Sequence, residues 1–359
     1  MELKEIVNPL LNWYDEHARI LPWREEPEPY RVWVSEIMLQ QTRVEAVKPF
    51  FERFLKALPT ITDLADAPED LLLKLWEGLG YYNRVRNMQK AAVILKNEYQ
   101  GQMPCDFDAI LSLPGIGSYT AGAISSIAFG IPKPAVDGNV LRVLSRLTAS
   151  YEDILKQSVK RNMEMQVETV IPKDRAGDFN QALIELGAIV CVPNGAPKCE
   201  SCPLSVLCQA RELGIQMELP KKTPPKARRM EQRTVLVLVS DNKAILRKRP
   251  KKGLLAGLYE LPNVTGHLEE EEVLELLKSW NLAPLRIRRL TEAKHIFSHI
   301  EWNMLGYMVR LEEPDEDGSQ AAEQNAAEKL LYVEKEDMER KYSIPAAFGA
   351  YVNYLKETL

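Results

Sequence analysis

The sequence predicts a two-domain chain: an all-helical domain over residues 1–215, a basic proline-rich linker at 216–231, and a smaller α+β domain over 232–359. Three observations predict it. Apolar residues three or four apart recur down to about residue 215, the period of a helix with one buried face. Beyond residue 232 the pattern shortens to the runs and alternation of strands. Between the two, "LPKKTPPKARRMEQR" (219–233) concentrates proline and positive charge, which suits neither element. A length of 359 residues also fits two cores better than one.

In chain order, "SEIMLQQTRVEAVKPFFERFLKAL" (35–58), "PEDLLLKLWEGLG" (68–80), "RVRNMQKAAVILKNEY" (84–99), "SYTAGAISSIAFG" (118–130) and "GNVLRVLSRL" (138–147) read as helices punctuated by Pro and Gly. After the linker, "RTVLVLVSDNKAILRKR" (233–249) reads as two strands about an Asp-Asn turn, and "HIEWNMLGYMVRLEE" (299–313) as a further extended run. "EEEEVLELLKSW" (269–280) and "IPAAFGAYVNYLKETL" (344–359) read as helices. No solenoid repeat and no long low-complexity segment interrupts this order.

Composition narrows the function classes. With 45% hydrophobic and 27% charged residues the chain is of globular type, and no apolar stretch approaches a membrane span. The opening "MELKEIVNPLLNWYDEHARI" lacks the apolar core of a signal peptide, so a cytoplasmic location is expected. The net charge of -5 neither supports nor excludes nucleic acid, because charge is uneven: basic at 219–233, acidic at 268–272 and 311–318.

Four of the five cysteines fall in "CVPNGAPKCESCPLSVLC" (191–208), as Cys191, Cys199, Cys202 and Cys208 with spacing C-x7-C-x2-C-x5-C. In a reducing compartment such clustering points to metal before disulfides. A tetrahedral zinc, a four-iron cluster and unliganded thiols all remain open on spacing alone.

Three further patterns carry chemistry. In "LSLPGIGSYTAGAISSIAFG" (111–130), Gly115 and Gly117 lie between two helical patterns, and the backbone N–H groups that open the second helix suit a phosphate. A plain tight turn is the alternative. Asp137 follows Pro132 and Pro134 and precedes a helix, so it reads as an N-cap; bonds from the helix start would keep its pKa low and its charge negative. Glu36 has Val32, Trp33, Ile37 and Leu39 about it, an apolar setting that would raise a carboxyl pKa; a solvated surface glutamate is the other reading.

Taken together, these motifs resemble the helix-hairpin-helix DNA glycosylases, and "SEIMLQQT" resembles the SE-x-M-L-Q-Q-T segment of MutY-type adenine DNA glycosylases. The resemblance implies a [4Fe-4S] cluster on Cys191, Cys199, Cys202 and Cys208, although the family's usual first spacing, C-x6-C, is one residue shorter than here. It implies that Asp137 stabilises an oxocarbenium-like sugar, that Glu36 protonates the departing adenine and later activates water, and that Asn139 helps hold water or substrate. Members that also cut the backbone carry a lysine just after the hairpin. Here Tyr119 takes that position, which implies a monofunctional enzyme with Tyr119 lining the pocket.

The same resemblance places Leu21, Trp23 and Arg24 of "LPWR", with Glu185, around an extruded adenine. It sends Leu39, Gln41 and Thr42 toward the duplex, brings in Tyr81 as a wedge, and sets Gly115, Gly117 and Ser118 on a phosphate. "KKGLLAGLYELP" (251–262) and the strands after it resemble the family's Nudix-like C-terminal domain, yet the G-x5-E-x7-R-E-x2-E-E pattern of nucleotide hydrolysis is missing. Recognition without hydrolysis is implied, with Phe297, Ser298 and His299 reading 8-oxoguanine. His295 and His299 are four apart, which would suggest zinc only on a helix.

The expected partner is double-stranded DNA with adenine opposite 8-oxoguanine or guanine, bound by a monomer associated with the nucleoid through DNA, with no membrane partner. A glycosylase for mismatched thymine and a non-catalytic iron-sulfur DNA-binding sensor are the competing readings.

Overall fold

The structure, a computed structural model, describes residues 2–224, 226–313 and 330–358; part of the acidic run at 311–318 lies outside the described residues. The chain divides into two compact units, residues 1–67 with 83–224, and residues 68–82 with 225–359.

The first unit is helical. Its core packs Leu10 and Trp13 of the helix Val7–His17, Val140 and Leu144 of Gly138–Leu147, and Phe179, Leu183 and Leu186 of Ala176–Ile189. Cys191, Cys202 and Cys208 lie against the same core. The stretch 35–58, read as one helical run, is two helices, Pro29–Leu39 and Val44–Ala57. Gln41 breaks it by adopting φ 63°, and Arg84 Nη1 caps the first helix by donating to the carbonyls of Ile37, Met38 and Gln40 at 2.6, 3.2 and 2.6 Å.

The hairpin runs from the helix Phe107–Leu111 to a second helix, Ser118–Ala123, which continues as a wider turn through Ala128. Gly115 sits between them at φ 79°, where a Cβ would lie 2.6 Å from Cβ of Asn87. Only glycine meets both demands.

The second unit contains an eight-stranded mixed sheet: β1 (Arg229–Ser240), β2 (Lys243–Lys248), β3 (Tyr259–Glu260), β4 (Asn263–Thr265), β5 (Pro284–Arg289), β6 (Ala293–Ile296), β7 (Ile300–Leu311) and β8 (Leu330–Glu334). The principal order is β3-β2-β1-β7-β5, with β1 and β7 parallel from Arg229 opposite Ile300 to Ser240 opposite Leu311. The run "VLVLV" of β1 is buried on both faces: Val235, Val237 and Val239 face one core with Tyr351 and Leu355, while Leu236 and Leu238 face another with Val273 and Leu277. Helices Gly349–Thr358 and Glu270–Ser279 supply those covers, as continuous apolar strands require.

Two boundaries differ from the sequence reading. The linker is shorter than 216–231, because β1 already begins at Arg229. Residues 68–82, read as part of the helical domain, group with the sheet: Ser343 Oγ donates to the Leu73 carbonyl at 3.0 Å, Ile344 N–H to Glu77 Oε1 at 2.8 Å, and Lys248 pairs with Asp70 at 2.9 Å. Among the described residues no helix is long and apolar enough to cross a membrane.

Candidate active site and cysteine centre

A cavity of about 1120 Å³ opens in the helical unit, and Glu36, Tyr119, Asp137 and Asn139 all line it. Glu36 is 7% exposed on the helix Pro29–Leu39. Burial, the dominant influence, together with the Asp137 charge, pushes its carboxyl up to about 7, against a hydrogen bond from Tyr119 and the charge of Arg24. Tyr119 O–H donates to Glu36 Oε2 at 2.5 Å, and burial and neighbouring acids hold the phenol protonated. Glu36 is therefore an acid that keeps its proton near neutrality.

Asp137 caps Gly138–Leu147 as its sequence position predicts. Oδ1 accepts the Asn139 and Val140 backbone N–H groups, both at 2.8 Å, and Oδ2 accepts Asn139 Nδ2 at 2.7 Å. The expected low pKa is corrected: burial outweighs these bonds and raises the carboxyl above its usual value. The donors nonetheless match an anion, since each presents a hydrogen to a carboxylate oxygen.

Asn139 is held in turn. Its Oδ1 accepts Arg142 Nη2 at 2.9 Å, while Arg142 also donates to the carbonyls of Cys191 (Nε, 2.7 Å) and Gly187 (Nη2, 2.8 Å). Gly187 allows the two helices this approach, because a Cβ there would meet Cβ of Asn139 at 2.7 Å. A single buried guanidinium thus ties the cysteine loop to the cap of the helix Gly138–Leu147. Sequence reading missed Arg142, although its place one turn after Asn139 in "DGNVLR" was visible. Arg142→Lys, which cannot reach three acceptors at once, should leave a buried acceptor unpaired and lower the melting temperature.

Leu21, Trp23 and Arg24 line the cavity as expected; Trp23 stacks edge-on against Phe51 at 5.4 Å. Glu185 also lines it, but its oxygens are already engaged. Fully buried, it accepts Arg19 Nε (2.6 Å), Nη2 (3.0 Å) and backbone N–H (3.2 Å), and Arg24 Nη2 (2.9 Å). Burial pushes its carboxyl up, yet the arginines together win and hold it below its usual value. Glu185 positions the two arginines in the wall, and Arg19 is the second residue sequence reading missed; "ARILPWR" carries it five positions before Arg24.

At the rim stand Leu39, Gln41 and Thr42. Gly117 opens the second hairpin helix with clear space where a Cβ would be, while the Ser118 hydroxyl is committed to Glu164 Oε1 at 2.8 Å.

Cys191, Cys199, Cys202 and Cys208 line a second cavity, with Arg146, Arg211 and Gln216. Arg146 Nη1 donates to Cys191 Sγ at 3.2 Å. Burial, with mutual repulsion, pushes the Cys202 thiol up to about 12 and also raises Cys199 and Cys208. Four thiolates here need compensating positive charge. Among the described residues no group of three or more His, Cys, Asp or Glu is arranged to hold a single metal ion.

In the sheet unit, Phe297, Ser298 and His299 form the β6–β7 turn. Phe297 does not project freely: its ring packs edge-on against His295 and Trp302, with centroids 4.6 and 4.9 Å away. It anchors the loop, leaving Ser298 and His299 exposed. Tyr81 belongs to this unit, at φ 48° with half its surface exposed, and its hydroxyl lies 3.1 Å from Ser298 Oγ. His295 and His299 lie on a strand and a turn, so their spacing of four does not put them on one helical face.

Known families and proteins match both parts of the chain. Residues 34–169 match the HhH-GPD superfamily base excision DNA repair protein model, and residues 234–354 match the NUDIX domain model. The adenine DNA glycosylase of Buchnera aphidicola subsp. Baizongia pistaciae is 37% identical, over 81% of this chain and 82% of its own. That of Homo sapiens is 36% identical over 84% of this chain, which spans 66% of the human protein's length. Among solved structures, a thermostable thymine-DNA glycosylase is similar with a TM-score of 0.52 and 31% identity, covering 58% of this chain and 96% of its own. An endonuclease III trapped on DNA gives a TM-score of 0.51 at 28% identity, covering 60% of this chain and all of its own.

Proposed function

The chain belongs to the adenine DNA glycosylase family of the helix-hairpin-helix base-excision superfamily, and on that footing we propose that it excises adenine mispaired with 8-oxoguanine or guanine by hydrolysing the N-glycosidic bond. The observation that carries the chemistry is a pair of buried carboxyl groups on one cavity, with Glu36 at about 7 and Asp137 bonded as an anion. An adenine turned out of the duplex enters beside Trp23 and Arg24. The bond from C1′ to the base nitrogen breaks, its electron pair leaves with the base, and the Glu36 proton neutralises that base. Asp137 stabilises the positive charge left on the sugar, supported by Asn139. Water then adds its hydroxide to C1′ and returns a proton to Glu36, restoring the enzyme. With Tyr119 after the hairpin in place of a lysine, the reaction stops at an abasic site.

The cysteine cavity supports a [4Fe-4S] cluster held by Cys191, Cys199, Cys202 and Cys208. When bound, it supplies the positive charge the thiolates need and fixes the loop that Arg142 joins to Asn139. Ser298, His299 and Tyr81 are the groups we assign to 8-oxoguanine, since hydroxyl and imidazole suit the altered edge of that base.

Single-turnover base release from duplexes carrying adenine opposite 8-oxoguanine, adenine opposite guanine, and thymine opposite guanine tests this. Adenine release should be fastest opposite 8-oxoguanine, with thymine retained. Thymine release would favour the mismatched-thymine reading; no release from any duplex by iron-loaded protein would leave a non-catalytic DNA-binding protein.

A further inference from the structure

The cysteine cavity holds one polar atom that the structure leaves unmatched. Gln216, in the turn after the helix Gln209–Glu212, lines the cavity together with the four cysteines, and its side-chain carbonyl oxygen Oε1 is buried without a hydrogen-bond partner. A buried acceptor with no donor is unfavourable. The Arg146 guanidinium in the same wall is already shared among Cys191 Sγ, the Val192 carbonyl and the Leu219 carbonyl.

Rotating the amide by half a turn removes the conflict. The oxygen and the NH2 of a glutamine exchange places at no steric penalty. The amide nitrogen is not among the buried unpaired atoms, and the side chain is only partly enclosed, so the carbonyl would come to where water reaches it. The NH2 would then face a cavity that the four cysteine sulfurs line together with Arg146, Lys198, Ser205 and Arg211, and sulfur of a thiolate or sulfide is an acceptor in need of N–H donors.

We propose that Gln216 is a positioning residue for the cysteine centre, donating an amide N–H to a sulfur of the cluster opposite the donor that Arg146 gives Cys191. This rests on the reading of the cavity as a cluster site. Hydrogen bonds to cluster sulfur stabilise the more reduced form and hold the ligating sulfurs in place, so Gln216 raises the reduction potential and slows iron loss.

The test compares purified full-length protein with Gln216→Leu, which removes the donor, and Gln216→Glu, which keeps the shape but offers an acceptor. Resonance Raman spectra in H2O and D2O read the iron–sulfur stretches, and release of iron to a chelator reads retention. Wild type should show a larger deuterium shift than the two variants, which keep the Arg146 donor to Cys191 alone, and both should lose iron faster, Gln216→Glu the more so. Equal deuterium shifts and equal iron release in all three proteins would overturn the proposal while leaving the cluster in place. Wild-type protein without iron and sulfide would instead overturn the cluster reading itself. Circular dichroism and melting temperature confirm that the variants fold; loss of iron without a reduced deuterium shift would assign Gln216 a packing role and also count against the proposal.

Discussion

Glu36→Gln is expected to slow adenine release by about 10²–10⁴-fold, the range a positioned general acid supplies. The substitution keeps the shape and still accepts the Tyr119 hydroxyl, so what is lost is the proton. In the native enzyme the rate should fall as pH rises through about 7, the point to which burial brings Glu36. On the acid side it should fall again as Asp137 protonates, at a pH above that of an ordinary aspartate because burial raises this group too. Glu36→Gln should abolish the alkaline limb and leave the acid one. A variant that retained a limb near 7 would move the acid to another group.

The same group makes a stability prediction whose sign is opposite to that of a salt-bridged acid. Glu36 titrates near 4.5 when unfolded and about 7 when folded, so between these values the native state binds more protons than the unfolded one. Stability therefore declines as pH rises through this window, by roughly 3 kcal/mol for a shift of this size, and levels off above it. Glu36→Gln should flatten that decline, which urea unfolding at pH 5 and pH 8 would measure.

How much of this was legible in the sequence depends on the range of the interaction. Local signals held: prolines before Asp137 gave an N-cap, the alternation in 233–249 gave β1 and β2, and the spacing of the four cysteines placed them on one cavity wall. What failed was long-range. Nothing near Glu185 in the chain says that Arg19, far upstream, will saturate it, and nothing in "PEDLLLKLWEGLG" says that its helix joins the sheet. Asp137 shows the same division: its three donors are local and were foreseen in kind, whereas the burial that overrides them comes from the assembled cavity.

Asp137→Asn should reduce base release by about 10²–10³-fold, the scale of losing one preorganised electrostatic contact. The helix cap itself is kept, because asparagine caps a helix about as well as aspartate. Activity suffers twice. The anion opposite the sugar is gone, and the new NH2 lies where Oδ2 accepted Asn139 Nδ2 at 2.7 Å, so two donors now face each other. Asn139 can relieve this only by reversing its amide, which turns its own NH2 toward Arg142 Nη2, now 2.9 Å from its oxygen. The conflict thus passes to the guanidinium that holds the Cys191 carbonyl. Removing the charge has a separate consequence for Glu36, because the Asp137 charge is one of the influences that raises it. The alkaline limb of the residual activity should therefore move below 7. A purely structural role for Asp137 would leave that limb in place, and an Asn variant within tenfold of the native rate would remove Asp137 from the mechanism.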